Sequence, residues 1–377
     1  MSDYAIDPLT GFVPGRDQLR RLPQQFEAWE QVVPLMPPFI RSGRIREVLG
    51  GLPTLDVADL VGEAEQERAL LLLTMFANAW VWGGRDPDLT IPSPLARPLC
   101  ALADDLGRPP ITHYGSMALR NWRRVDPDRP LSLDNAQMDV GFLGGVDEEW
   151  FYLASMGVEL AGAPLLKSLH TAVLASHEGE DADVMVLLDR IADELGPVMS
   201  ALQRMREWCD PHIFYHRVRN FVAGWPDPGV IYEGVWPEPR KYIGGSAGQS
   251  SLIQAVDAAL GVVHDGPVTG PFFATMRTYM PRPHRQFVED IADVSQLRRR
   301  VERGAPALAH AYNRALGRVE KFRAAHRRMA HDYVSVPSGA APGETGTGGT
   351  TFGEFLDDAQ HETRRQSVQF HAKASEA

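Results

Sequence analysis

The chain has 377 residues, 44% of them hydrophobic, and a formal net charge of −11. That length suggests two domains, or one large and one small, and the apolar share supports a sizeable core and excludes a disordered chain. With 49 acidic against 38 basic residues, the basic footprint needed for nucleic-acid binding is missing.

Cys100 and Cys209 make no disulfide framework. The opening Met1-Ser2-Asp3-Tyr4 lacks the basic and apolar parts of a signal peptide. The longest apolar run, Ala69 to Trp82, is interrupted by Thr74 and Asn78 and falls short of the roughly 18–20 residues of a membrane span. A reducing, cytoplasmic setting without a membrane partner is expected.

In chain order, the first third is rich in Pro and Gly and reads as short pieces. One helix stands out from about Glu65 to Trp82, apolar enough to be buried on most sides. Gly83 to Asp88 reads as a turn, and Arg108-Pro109-Pro110 stops another short helix. Leu131 to Val146 is a weakly patterned link ending in Gly144-Gly145, which sets the expected boundary. Residues 1–143 form a small, mixed, mostly helical domain covering a pocket, and residues 144–377 form a large all-helical domain. The fold class expected is therefore mainly α.

Beyond the link, Val184, Leu188, Ile191, Leu195, Val198, Leu202 and Met205 form one apolar stripe. Gly196-Pro197 inside it predicts a kink, or two helices end to end. Leu308, Ala311, Ala315, Val319, Phe322 and Met329 mark a second stripe, and His326 occupies the same face. Residues 335–351, Gly-, Pro-, Ser- and Thr-rich, read as a mobile loop. A short amphipathic helix from about Phe352 and a flexible tail follow.

Four motifs carry chemistry. In Tyr279-Met280-Pro281-Arg282-Pro283-His284-Arg285-Gln286-Phe287, Pro283 suits the start of a helix. Phe287, Val288 and Ile291 then share the face of His284, which suits an axial haem ligand and equally suits an ordinary core histidine. In Gly244-Gly245-Ser246-Ala247-Gly248-Gln249-Ser250-Ser251, Ser246 and Gln249 fit a capping box, and the small residues would let backbone approach a flat ligand. Asp257 on the following helix reads as a support for a cofactor or as a solvated helix face.

Arg219 stands among Phe214, Tyr215, Phe221 and Trp225. It suits a carboxylate held beside an aromatic body, or surface stacking on a ring. Gly346-Thr347-Gly348-Gly349-Thr350 reads as an anion cradle, a lid hinge or a plain linker.

Together these segments resemble the indoleamine 2,3-dioxygenase family, from about Leu22 to Ser367. Tyr232-Glu233-Gly234 before Trp236, and Pro109-Pro110-Ile111 through Tyr114 to Asn121-Trp122, carry the resemblance as well. It implies a haem b enzyme that inserts both atoms of O₂ across the indole C2–C3 bond of L-tryptophan, giving N-formyl-L-kynurenine. O₂, the indole and an electron donor that keeps the iron ferrous are the implied partners.

By resemblance, His284 is the proximal iron ligand. Phe151, Ser155 and Tyr114 belong to the substrate pocket, and Phe214 packs on the indole. Tyr215 stands where the family usually has Phe, Arg219 takes the substrate carboxylate, and Thr347 lies near its amine. Gly245, Ser246 and Ala247 form the backbone wall beside the haem, with Asp257 behind. Met117 departs from the small residue common there and is expected to narrow the pocket. A dioxygenase for a modified indole and a non-catalytic haem protein are the alternatives.

Overall fold

The computed structural model describes residues 1–339 and 352–369, and within them the fold is mainly α. The first long helix, α1, spans Gly62–Trp82. Its residues from Glu67 to Ala79 are all buried, as expected of a helix that is apolar on most sides. Helix α2, Ser93–Leu106, ends where Gly107 turns left-handed ahead of the two prolines. Helices α3 (Val146–Ala161), α4 (Ala163–Glu178) and α5 (Asp181–Gln203) then follow with tight connections.

After a run of short elements come α6 (Ser251–Leu260), α7 (Thr269–Arg277), α8 (Arg282–Val294), α9 (Pro306–Ala330) and α10 (Phe352–Arg365). Helix α9 packs along α5 and carries α10 on another side. The two apolar stripes of the sequence meet in that α5–α9 seam. Among the described residues no helix is long and apolar enough to cross a membrane.

Of the alternatives at Gly196-Pro197, two helices end to end does not hold: α5 is one helix from Asp181 to Gln203 with Pro197 inside it. Pro197 and Asp193, whose carbonyl the missing N–H would have met, are both exposed, so water can take the freed acceptor. The C-terminal part is also not helical throughout. Strands β4 (Val230–Tyr232) and β5 (Trp236–Arg240) pair antiparallel there, and β4 pairs parallel with β1 (Thr90–Ile91). Gly234, at φ +74°, makes the turn between them. Pro237 and Pro239 suit β5 as an edge strand. A second ribbon joins β2 (Trp122–Arg124) to β3 (Ala136–Met138).

Buried ion pairs tie the first 143 residues together. Arg68 bonds Glu30 at 2.8 Å and also holds Asp139. Glu67 meets Arg108 at 2.6 Å and Arg120 at 3.4 Å. Burial alone would raise the Glu67 pKa, but the two guanidiniums outweigh it and bring it down to about 2.

Candidate active site

Between α3, α9 and α10 lies a largely apolar cavity of about 1630 Å³, its mouth included. Phe151 and Ser155 reach it from α3, one turn apart on the same face. Tyr114 and Met117 enter from the N-terminal part, at a π-helical turn over Gly115–Leu119. Phe214, Gly245, Ser246 and Ala247 complete that side, and the rings of Phe214 and Phe151 lie 4.6 Å apart. Helix α9 contributes Phe322, Arg323, His326 and Met329, and α10 contributes Phe355, Leu356 and Ala359.

His284 is not on this wall. It occupies the first turn of α8 behind Pro283, as the sequence implies, but its ring is buried 4.6 Å from Phe12. Its Nδ1 has no hydrogen-bond partner among the described residues. Burial, with Arg120 and Arg108 nearby, drives its pKa down to about 3. The histidine that faces the cavity is His326, on the α9 stripe between Phe322 and Met329. Among the described residues its ring has no recorded hydrogen-bond partner. Burial and the neighbouring Arg323 hold its pKa down at about 4, so the imidazole is neutral and able to ligate at neutral pH. His284 therefore faces the core and not this cavity: a helix face turned toward the core is not a helix face turned toward the cavity.

The glycine-rich segment is built for close approach. A Cβ on Gly245 would sit 2.5 Å from the Met117 methyl, and one on Gly244 would sit 2.2 Å from the Val222 carbonyl. The capping pattern differs from the expectation. Ser246 accepts only the Gly248 N–H, at 3.2 Å, over a short 3-10 turn, while Ser250 caps α6 itself. Gln249 instead accepts the Tyr114 N–H at 2.8 Å and donates to the Gly244 carbonyl at 2.8 Å. It thereby welds the N-terminal wall of the cavity to the glycine loop, a long-range role that local spacing does not reveal.

Ser155 Oγ donates to the Phe151 carbonyl at 2.9 Å. The Tyr114 hydroxyl donates to Glu159 at 3.1 Å, and Ser250 donates to the same Glu159 oxygen at 2.5 Å. Burial raises Glu159 to about 7 despite those donors. The sequence reading did not single out this carboxyl. Asp257 is not a solvated face either. It is buried and grips Arg323 through both oxygens, at 3.1 and 2.6 Å.

Arg219 and Tyr215 lie next to the cavity wall rather than on it. The Arg219 N–H bonds the Phe214 carbonyl, closing a π turn over Phe214–Val218. The Arg219 guanidinium rests 5.3 Å from the Tyr215 ring centre. Thr347 lies outside the described residues.

A profile of the indoleamine 2,3-dioxygenase family matches residues 1–366. Indoleamine 2,3-dioxygenase 1 of Rattus norvegicus is 33% identical over 387 aligned residues, covering 97% of this chain and 95% of its own. The indoleamine 2,3-dioxygenase of Saccharomyces cerevisiae is 33% identical, covering 90% of this chain and 81% of its own. Indoleamine 2,3-dioxygenase acdA of Aspergillus candidus is 32% identical, covering 96% and 95%. With the match running across both ends of the cavity wall, the chain belongs to the indoleamine 2,3-dioxygenase family, a family of haem-dependent dioxygenases.

Proposed function

We propose that this dioxygenase holds haem b in the α3–α9–α10 cavity and opens the indole ring of L-tryptophan with O₂ to give N-formyl-L-kynurenine. The observation that carries the reading is His326, a neutral imidazole facing a large apolar cavity beside the single turn that bears Arg323. A lone histidine with apolar surroundings is the donor set an axial iron ligand needs. Arg323 offers a cation to the carboxylate side chains of the haem. The bare backbone of Gly245, Ser246 and Ala247 gives a flat wall beside the ring.

Bound haem supplies the one-electron chemistry that turns O₂ on the electron-rich C2–C3 bond, with both oxygen atoms ending in the product. The chain's own residues bind and orient. Phe214 and Phe151 supply an aromatic slot for the indole, and Tyr114 and Ser155 line it. Arg219, one π turn beyond Phe214, takes the substrate carboxylate, with Tyr215 as its platform. Thr347 is assigned to the substrate amine. An electron donor keeps the iron ferrous. Residues 1–143 act as a cover that brings Tyr114 and Met117 to the pocket.

The direct test is turnover of L-tryptophan by the haem-loaded protein under isotopically labelled O₂. We expect intact N-formylkynurenine carrying label in both new oxygens. No product, or label in only one, would remove the assignment. Met117, on the wall against Gly245, favours a second reading in which the substrate is a modified indole whose shape suits the altered pocket floor. Competition between L-tryptophan and ring-substituted tryptophans separates the two.

Ser155 is expected to be dispensable for the chemistry. Its hydroxyl is already spent on the Phe151 carbonyl, and a hydroxyl is a poor base. Ser155→Ala should keep substantial turnover. A loss of about 10³-fold or more with haem retained would reveal an essential proton or hydrogen-bond role.

A further inference from the structure

A buried polar chain links the C-terminal helix to the cavity, and of its members only Arg323 has a role above. Glu362 lies on α10, three residues beyond cavity-lining Ala359, and is buried. Its Oε1 accepts the Gly266 N–H at 2.9 Å and the Thr269 hydroxyl at 2.7 Å. A Cβ on Gly266 would lie 2.6 Å from that oxygen, so the approach depends on a residue without a side chain. Oε2 stands 2.6 Å from Nδ1 of His264. The His264 ring packs 4.5 Å from Phe273. Its Nε2 is 3.3 Å from both Asp257 Oδ2 and Arg323 Nη2. Arg323 lines the cavity, three residues before His326.

The donor and acceptor inventory fixes how this chain works. A carboxylate offers acceptors only, so in the singly protonated ring the proton of His264 sits on Nδ1, facing Glu362. Nε2 is then an acceptor, and of its two neighbours only Arg323 can donate to it. Glu362 thus selects the tautomer in which His264 becomes a further acceptor for Arg323, alongside Asp257.

We propose that Glu362 and His264 are positioning residues. Acting through this tautomer they hold the Arg323 guanidinium in one orientation, and they dock α10 as a cavity wall. Retention of a planar anionic cofactor thereby depends on the C-terminal helix. The proposal rests on the haem reading above.

Glu362→Gln separates the two effects. The amide oxygen can still accept from Gly266 and Thr269, so α10 should stay docked. The amide NH₂ now faces Nδ1, which moves the ring proton to Nε2 and removes the acceptor for Arg323. Two measurements suffice: hydrogen exchange of α10 amides in the cofactor-free protein, and the rate of haem transfer from the loaded protein to excess apomyoglobin. For Glu362→Gln we expect wild-type protection of α10 with haem lost about 10–100-fold faster. Glu362→Ala should lose α10 protection as well. Haem release from Glu362→Gln at the wild-type rate would overturn the proposal. So would loss of α10 protection in Glu362→Gln equal to that in Glu362→Ala, since the chain would then be a structural latch alone. A wild-type protein that takes up no haem would overturn the haem reading and this proposal with it, whereas a haem-binding wild type with an indifferent Glu362→Gln overturns only the proposal.

Discussion

Arg219→Ala is expected to lower kcat/KM for L-tryptophan by about 30- to several-thousand-fold and to change turnover of tryptamine little. The π turn that bonds the Arg219 N–H to the Phe214 carbonyl places this arginine one turn along the chain from pocket-lining Phe214. A carboxylate held there pairs with a planar fork already braced on Tyr215. Removing one partner of such a desolvated pair leaves the other uncompensated, at a cost of roughly 2–5 kcal/mol. Tryptamine never makes the contact, so it has nothing to lose. Arg219→Lys should rescue only in part, because an ammonium cannot offer the fork. Steady-state kinetics on both substrates check this. Equal losses would mean that Arg219 supports the fold or the cofactor and does not read the carboxylate.

The second large effect is acid lability of the cofactor-free protein. Burial depresses both His113 and His284 to about 3 in the folded chain. In the unfolded chain they titrate near 6.5. Their neutral forms fit the fold, so the stability they contribute is present above the unfolded value and is lost as pH falls toward the folded one. Glu159 works in the opposite sense. Raised to about 7, it favours the fold at low pH and loses that contribution as pH rises between the unfolded and folded values. These two imidazoles, together with His326 held down at about 4, outweigh one carboxyl, so stability should fall as pH drops from about 6.5 to 4.5. Each imidazole adds a slope of about 1 kcal/mol per pH unit. Urea unfolding across that window should show a shallower slope for His284→Gln by about that amount. An unchanged slope would mean that His284 is not buried as a neutral ring.

The helices that build the cavity were legible because their apolar periods are long. The α5 and α9 stripes each span five or more turns, and burial follows the predicted positions closely, with Val184, Leu188, Ile191, Leu195, Leu308, Ala311 and Val319 all in one core. Phe151, Ser155, Tyr114 and Phe214, which line the cavity, came from the family resemblance and not from local patterning. Local patterning could not show that His326 faces a cavity while His284 faces the core. Both sit on the apolar face of a helix, and periodicity distinguishes core from solvent but not core from an empty pocket. The β4–β5 hairpin was missed because its two strands are short and β5 carries two prolines. The roles of Gln249, Glu159 and Glu362 were illegible for another reason. Each joins residues far apart in sequence, Gln249 to Tyr114, Glu159 to Ser250 and Glu362 to His264, and no local spacing encodes such pairs.

The central claim is that the cavity is a haem site whose iron ligand is His326. It is tested most directly by titrating haem into cofactor-free wild-type, His326→Ala and His284→Ala proteins and recording the visible spectrum. We predict a tight one-to-one complex with a sharp Soret band for the wild type and for His284→Ala. We predict no tight complex for His326→Ala, with added imidazole restoring the band by entering the space the side chain left. A His326→Ala protein that binds haem like the wild type, with His284→Ala failing to do so, would contradict the account.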